Sequence, residues 1–132
     1  MKKILIITAV LLASLIGKSQ NFYKVLSAGI DKYSEDSGWE NTKTEYPDNM
    51  YLIMKDSSII VTNDNESKYV FYGDVVFKDY EEHTASYWKA YDNEGRNCNI
   101  MIRLLKNDSI HVFVSFIYKS HSYEYVISSQ KQ

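Results

Sequence analysis

The ten residues from Tyr91 to Ile100, YDNEGRNCNI, admit three readings, and the choice among them sets the fold. Acidic and amide side chains crowd a glycine just ahead of the only cysteine, as in a metal loop, a reactive thiol site or the turn of a hairpin. A register test favours the hairpin. A three-residue loop at Asn93, Glu94 and Gly95, with Gly95 taking the positive φ of a G1 bulge, sets Ala90 opposite Cys98, Trp88 opposite Ile100 and Ser86 opposite Ile102. A two-residue turn would face Lys89 with Ile100 and bring a lysine onto the apolar side. Calcium would need alternating oxygen ligands over about twelve residues closed by a late bidentate Glu, and here Arg96 follows the glycine with no such Glu after it.

The same test extends in both directions. A two-residue turn at Lys119 and Ser120 pairs Tyr118 with His121, Phe116 with Tyr123, Val114 with Tyr125 and Val112 with Ile127, leaving one face continuously apolar. A three-residue loop at Lys106, Asn107 and Asp108 sets Leu104 opposite Ile110, Ile102 opposite Val112, Ile100 opposite Val114 and Cys98 opposite Phe116, with Asp108 taking a positive φ. Upstream, a turn at Asp56 and Ser57 aligns Met54 with Ile59 and Leu52 with Val61. A turn at Glu81 and Glu82 aligns Phe77 with Ser86 and Val75 with Trp88. The inward set is then Val75, Phe77, Trp88, Ala90, Cys98, Ile100, Ile102, Leu104, Ile110, Val112, Val114, Phe116, Tyr123, Tyr125 and Ile127.

Twelve tyrosines recur with Val, Ile, Phe and Thr in short runs of period two, and no long amphipathic helix is present. Strands are expected over Phe22 to Ser27, Trp39 to Tyr46, Met50 to Lys55, Ser58 to Asn63, Lys68 to Tyr72, Val75 to Tyr80, Thr84 to Tyr91, Asn97 to Leu105, Ser109 to Tyr118 and His121 to Ser128. Short polar pieces separate them, among them Asp31 to Gly38 and Gly73 with Asp74. The expected fold class is all-β, an antiparallel meander of about eight to ten short strands forming a small calycin-like barrel or a two-layer sandwich.

The first residues, MKKILIITAVLLASLIGKSQ, place Lys2 and Lys3 before an apolar run from Ile4 to Ile16 and a small polar exit at Gly17, Lys18 and Ser19. That is the layout of a cleaved secretory signal over residues 1–19, ahead of one domain over residues 20–132. The run of about 13 residues falls short of the roughly 20 that a spanning helix needs, so no membrane anchor is expected after cleavage. The protein is expected to be exported, periplasmic or extracellular.

The chain has 15 basic and 17 acidic residues, and loss of Lys2, Lys3 and Lys18 leaves 12 against 17, a net charge of about −5. Nucleic acid and anionic lipid, which need clustered Lys and Arg, are thereby disfavoured as partners. Cys98 alone cannot form an internal bridge, and its place in the inward set makes it a buried, inert thiol. No HExxH, paired CxxC or GxSxG pattern is present, so neither a metal, a cofactor nor a catalytic residue is assigned. His83, His111 and His121 fall on different turns and faces. The sequons Asn65-Glu66-Ser67 and Asn107-Asp108-Ser109 matter only in a host that glycosylates exported proteins.

What the composition does support is binding through aromatic rings, which stack on sugars or enclose an apolar ligand. The candidate ligand-binding residues are Trp39, Tyr69, Tyr72, Tyr87, Trp88, Tyr91, Tyr118 and Tyr123, with core and cross-strand packing as their alternative role. Tyr33 to Glu40, YSEDSGWE, is a connection that could serve as a lid. The pattern WKAYDNEGRNCNIMI, Trp88 to Ile102, with the closing YEYVI, Tyr123 to Ile127, resembles short exported all-β proteins of Gram-negative bacteria. The resemblance covers the second half of the chain, implies export and a small barrel-like fold, and supplies no active-site residues. Function is thus expected to be that of an exported, non-enzymatic barrel binding a small apolar or glycan ligand or a protein partner. The alternatives are an interaction module without a pocket and, least favoured, an enzyme.

Overall fold

The computed structural model describes residues 21–62 and 66–129. The expected signal over residues 1–19 lies outside them, as does Asn65 of the first sequon. Nine strands follow one another: β1 (Asn21–Ser34), β2 (Gly38–Glu45), β3 (Tyr51–Met54), β4 (Ser58–Thr62), β5 (Glu66–Asp79), β6 (His83–Tyr91), β7 (Asn97–Leu105), β8 (His111–Ile117) and β9 (His121–Ser128). The fold is all-β, and every pairing is antiparallel.

Closure decides between barrel and sandwich. The strand order runs β2-β1-β3-β4-β5-β6-β7-β8-β9, and β1 pairs with β9 as well, so eight strands close into a barrel and β2 is an extra strand lying on β1. β1 manages both seams because it is long: Asn21 to Lys24 pair with β3, and Val25 to Lys32 pair with β9 across an irregularity between Val25 and Ser27. That length departs from the sequence expectation, which ended the strand at Ser27. Asp31 to Ser34 are strand rather than connection, and the turn of YSEDSGWE is confined to Glu35 to Ser37, with Gly38 at φ 72°.

The side chains that alternate inward fill the barrel. Leu52, Met54, Ile59, Ile100, Ile102, Val112, Val114, Phe116 and Ile127 are all but sealed from water, and Trp88, Ala90 and Cys98 join the same cluster. Each large apolar side chain so buried contributes roughly 1.5–3 kcal/mol against the entropy of ordering the chain. Tyr69 stacks on Phe116 with ring centroids 4.1 Å apart, and Phe71 stacks on Trp88 at 5.6 Å.

Four of the five hairpin registers read from the sequence are found next to their turns: Trp88 faces Ile100, Phe77 faces Ser86, Leu52 faces Val61 and Phe116 faces Tyr123, while Val75, expected opposite Trp88, falls in an irregularity of β5. The fifth is displaced by two residues. Ile100 pairs with Phe116 and Ile102 with Val114, so Lys106 to Ile110 form a longer connection and Ile110 is 61% exposed. Asp108 has no positive φ; instead its carboxylate accepts hydrogen bonds from Ile110 N (2.9 Å) and His111 N (3.2 Å) and meets His111 Nδ1 at 2.8 Å. An Asx turn of this kind stabilises the loop without left-handed backbone. Because the slip is even, the inward side chains that remain within β7 and β8 keep their face, and Ile110 alone of the inward set leaves it for the connection.

Two further expectations change. The break at Gly73 and Asp74 is not a turn: β5 runs through it as one strand, with an irregularity between Tyr72 and Val76 and Gly73 at φ 76°. Both halves pair with the uninterrupted β6, so the extra residues are taken up as a bulge. Phe77 is assigned inward by its register yet is 42% exposed. β4 begins at Ser58, opposite Val70, so among the described residues the second half of β5 pairs only with β6.

Candidate functional site

Three connections meet at one end of the barrel. The loop between β6 and β7 folds as its composition requires: Asp92 N donates to Arg96 O (3.0 Å), Gly95 N donates to Asp92 O (3.0 Å), and Gly95 takes φ 76°. Asn93 reaches across to β5, its Oδ1 accepting from Lys68 N at 2.5 Å and its Nδ2 donating to Glu66 O at 3.4 Å. The turn between β8 and β9 joins them through Tyr118, whose hydroxyl donates to Asp92 Oδ2 at 2.7 Å. Tyr33 N donates to Ser120 O at 3.0 Å, which ties the β1–β2 hairpin to the same end.

The β6–β7 loop, Tyr118 beside the β8–β9 turn and the inward faces of β5 and β9 border an open mouth of about 360 Å³ lined by Tyr69, Tyr118, Tyr123 and Tyr125, with Glu66, Ser67, Asp92, Asn93, Glu94 and Arg96 around the rim. Tyr69 and Tyr125 form the floor against Phe116. Tyr118 stands edge-on to Tyr123 at 6.2 Å and is backed by the ring of His121 at 4.8 Å.

Asp92 is the hub. Its side chain is only 6% exposed, and it accepts four hydrogen bonds: Tyr118 Oη and Arg96 Nε (2.8 Å) on Oδ2, Glu94 N and Arg96 N (both 2.9 Å) on Oδ1. Burial pushes this carboxyl up, but the donors from Tyr118, Arg96 and Glu94 together outweigh it and hold it at about 2. The hub therefore keeps a negative charge throughout the physiological range. Burial pushes Tyr118 well above the usual phenol range, and its bond to the Asp92 carboxylate adds to that. Burial likewise raises Tyr69, and raises Tyr125 to about 12 with help from Tyr123. The mouth accordingly presents neutral phenols to a ligand.

Burial raises the Cys98 thiol to about 11, partly offset by the Tyr118 hydroxyl, so the thiolate that a nucleophile requires is suppressed. Among the described residues, no three His, Cys, Asp or Glu side chains converge as metal ligands. The histidines are dispersed: His83 stacks on Tyr80, His111 meets Asp108 and His121 stacks on Tyr118.

Of the eight aromatic residues singled out from the sequence, the mouth gathers Tyr69, Tyr118 and Tyr123. Trp88 lies in the core beside Phe71. Tyr72 and Tyr91 stack on each other at 4.4 Å on the outward side of β5 and β6. Tyr87, raised to about 12 by burial and by Tyr80, places its hydroxyl 3.4 Å from that of Tyr80. Trp39 sits at the tip of the β1–β2 hairpin against Tyr33, 5.4 Å away. Sequence reasoning missed Tyr125, Asp92 and Arg96 as site residues. Tyr125 is two residues from Tyr123 and so shares its face, and that alternation was the available signal.

No family model, curated protein or solved structure matches the chain.

Proposed function

We propose that the chain is an exported, non-enzymatic small β-barrel protein that binds a small ligand in its tyrosine-lined mouth, and that this ligand is polar, of the glycan class. The N-terminal layout of charged, apolar and small polar residues supports export. The observation that carries the binding proposal is the mouth itself, whose volume of about 360 Å³ falls in the range of roughly 300–1,000 Å³ found for small-molecule sites. Below it the interior is packed with Phe116, Ile100 and Val114, so a long apolar ligand has no barrel lumen to enter. The phenols, Ser67 and the Glu66 and Glu94 carboxylates offer hydrogen bonds where a purely apolar ligand would leave them dry.

A second use of the fold is suggested by β2, which pairs only with β1 among the described residues and carries the exposed Trp39 near its tip. Glu40, Lys43 and Glu45 place charge along that strand, as sheets do to discourage edge pairing. The ligand proposal is therefore preferred. Native mass spectrometry of the protein purified from its own host tests it: a small-molecule adduct is expected on the wild type and not on Tyr123→Ala, and an adduct-free wild type would overturn it.

A further inference from the structure

Within that binding proposal, on which this step rests, the charge of the mouth narrows the ligand class. Three carboxylates, Glu66, Asp92 and Glu94, stand against one guanidinium, Arg96, giving the lining a net charge of about −2. Glu66 has no ion-pair or hydrogen-bond partner for its carboxylate among the described residues, and Glu94 has only Arg96 at 3.5 Å. Asp92 stays ionised but is paired with Arg96, so the excess charge sits on Glu66 and Glu94.

The rings add to this. A phenol face attracts a cation through its quadrupole, and Tyr69, Tyr118, Tyr123 and Tyr125 line one small volume. The chain itself shows the wall holding a cation: the Arg96 guanidinium carbon lies 5.5 Å from the Tyr118 ring centroid while its Nε binds Asp92. Arg96 does this from the rim, with its side chain 58% exposed, so the remaining rings and both outer carboxylates are left to a ligand. A uronic acid would meet like charge, and a neutral sugar would leave the outer carboxylates uncompensated.

We infer that the mouth takes a glycan bearing protonated amines, an amino sugar in its free-amine form, with the sugar rings on the tyrosines and the ammonium groups toward Glu66 and Glu94. Ring hydroxyls would bond to the phenols and to Ser67, which a simple aliphatic amine could not do.

The probe pair that isolates the amine is a glucosamine oligomer and its N-acetylated counterpart of the same length and linkage. Both would be titrated calorimetrically into the full mature chain at mildly acidic pH, with trilysine as a charge control. The glucosamine oligomer is expected to bind at least about fivefold more tightly than the acetylated one, in keeping with a cation on exposed rings. That advantage should shrink with salt and in the Glu66→Gln, Glu94→Gln double variant, whose altered side chains are exposed and outside the Asp92 hub. Tyr123→Ala should weaken both oligomers. Equal binding of the two, or preference for the acetylated one, overturns the amine inference and leaves the ligand mouth standing. Trilysine binding as tightly as glucosamine overturns the sugar half. Binding of neither oligomer, together with an adduct-free protein from the native host, overturns both this inference and the function beneath it.

Discussion

Replacing Asp92 by Asn should be the most informative single change in this protein. The carboxylate joins two connections of the barrel, accepting from Tyr118 on one side and from Arg96 and Glu94 on the other. Asn keeps one acceptor oxygen but sets an NH₂ group against Arg96 Nε, a donor facing a donor. The magnitude follows from the charge. A drop from the usual 3.8 to about 2, at 1.36 kcal/mol per pH unit, is stabilisation of about 2 kcal/mol, and a side chain only 6% exposed loses little of it to solvent screening. The folded pKa is depressed, so this stability is fully present above pH 3.8 and is lost as pH falls through about 2. Urea unfolding at neutral pH should therefore show Asp92→Asn losing about 2 kcal/mol, a midpoint shift of roughly 1–2 M at a slope of about 1–2 kcal/mol/M. Repeated at falling pH, the gap between wild type and variant should stay constant down to about pH 4 and close between pH 4 and 2. A gap that is absent at neutral pH, or that does not narrow with acid, would refute the assignment of Asp92 as a charged hub.

Three other changes test the fold. Ser86 is sealed from water with its hydroxyl unpartnered among the described residues, so Ser86→Ala should be neutral or stabilising by up to about 1 kcal/mol in urea; a clear loss would reveal a partner for the hydroxyl. Gly95→Ala should cost about 1–2 kcal/mol from its positive φ alone, because no atom lies within 4 Å of the added methyl group; an unchanged midpoint would remove the G1 bulge from the account of the loop. Cys98, with its thiol raised from 9.0 to about 11, should react with a thiol reagent about a hundredfold more slowly when folded than when unfolded, and reaction at the unfolded rate would place it outside the core.

Much of the barrel was legible because strands reveal their faces in sequence. Alternation at period two identified Ile100, Ile102, Val112, Val114 and Ile127 as inward, and the glycine of YDNEGRNCNI set the register of β6 against β7. The slip at the β7–β8 connection went unseen because a shift of two residues preserves every face, and local pattern holds no information to separate the two registers. The bulge in β5 was hidden for a related reason: Gly73 and Asp74 suit a turn equally well, and only the continuous β6 beside them decides.

The mouth divides in the same way. Sequence by itself determined that Tyr123 and Tyr125 project inward near a strand end, that Tyr118 flanks the turn beside them, and that Asp92 and Arg96 flank a tight loop. It could not show that these belong to one site, since Tyr118 and Asp92 are 26 residues apart and their 2.7 Å hydrogen bond exists only once two connections converge. Closure itself is a property of the whole chain. Nothing local in Val25 to Lys32 demands β9 as a partner; the pairing forms because the six strands β3 to β8, each laid beside the next, return the last edge to the first.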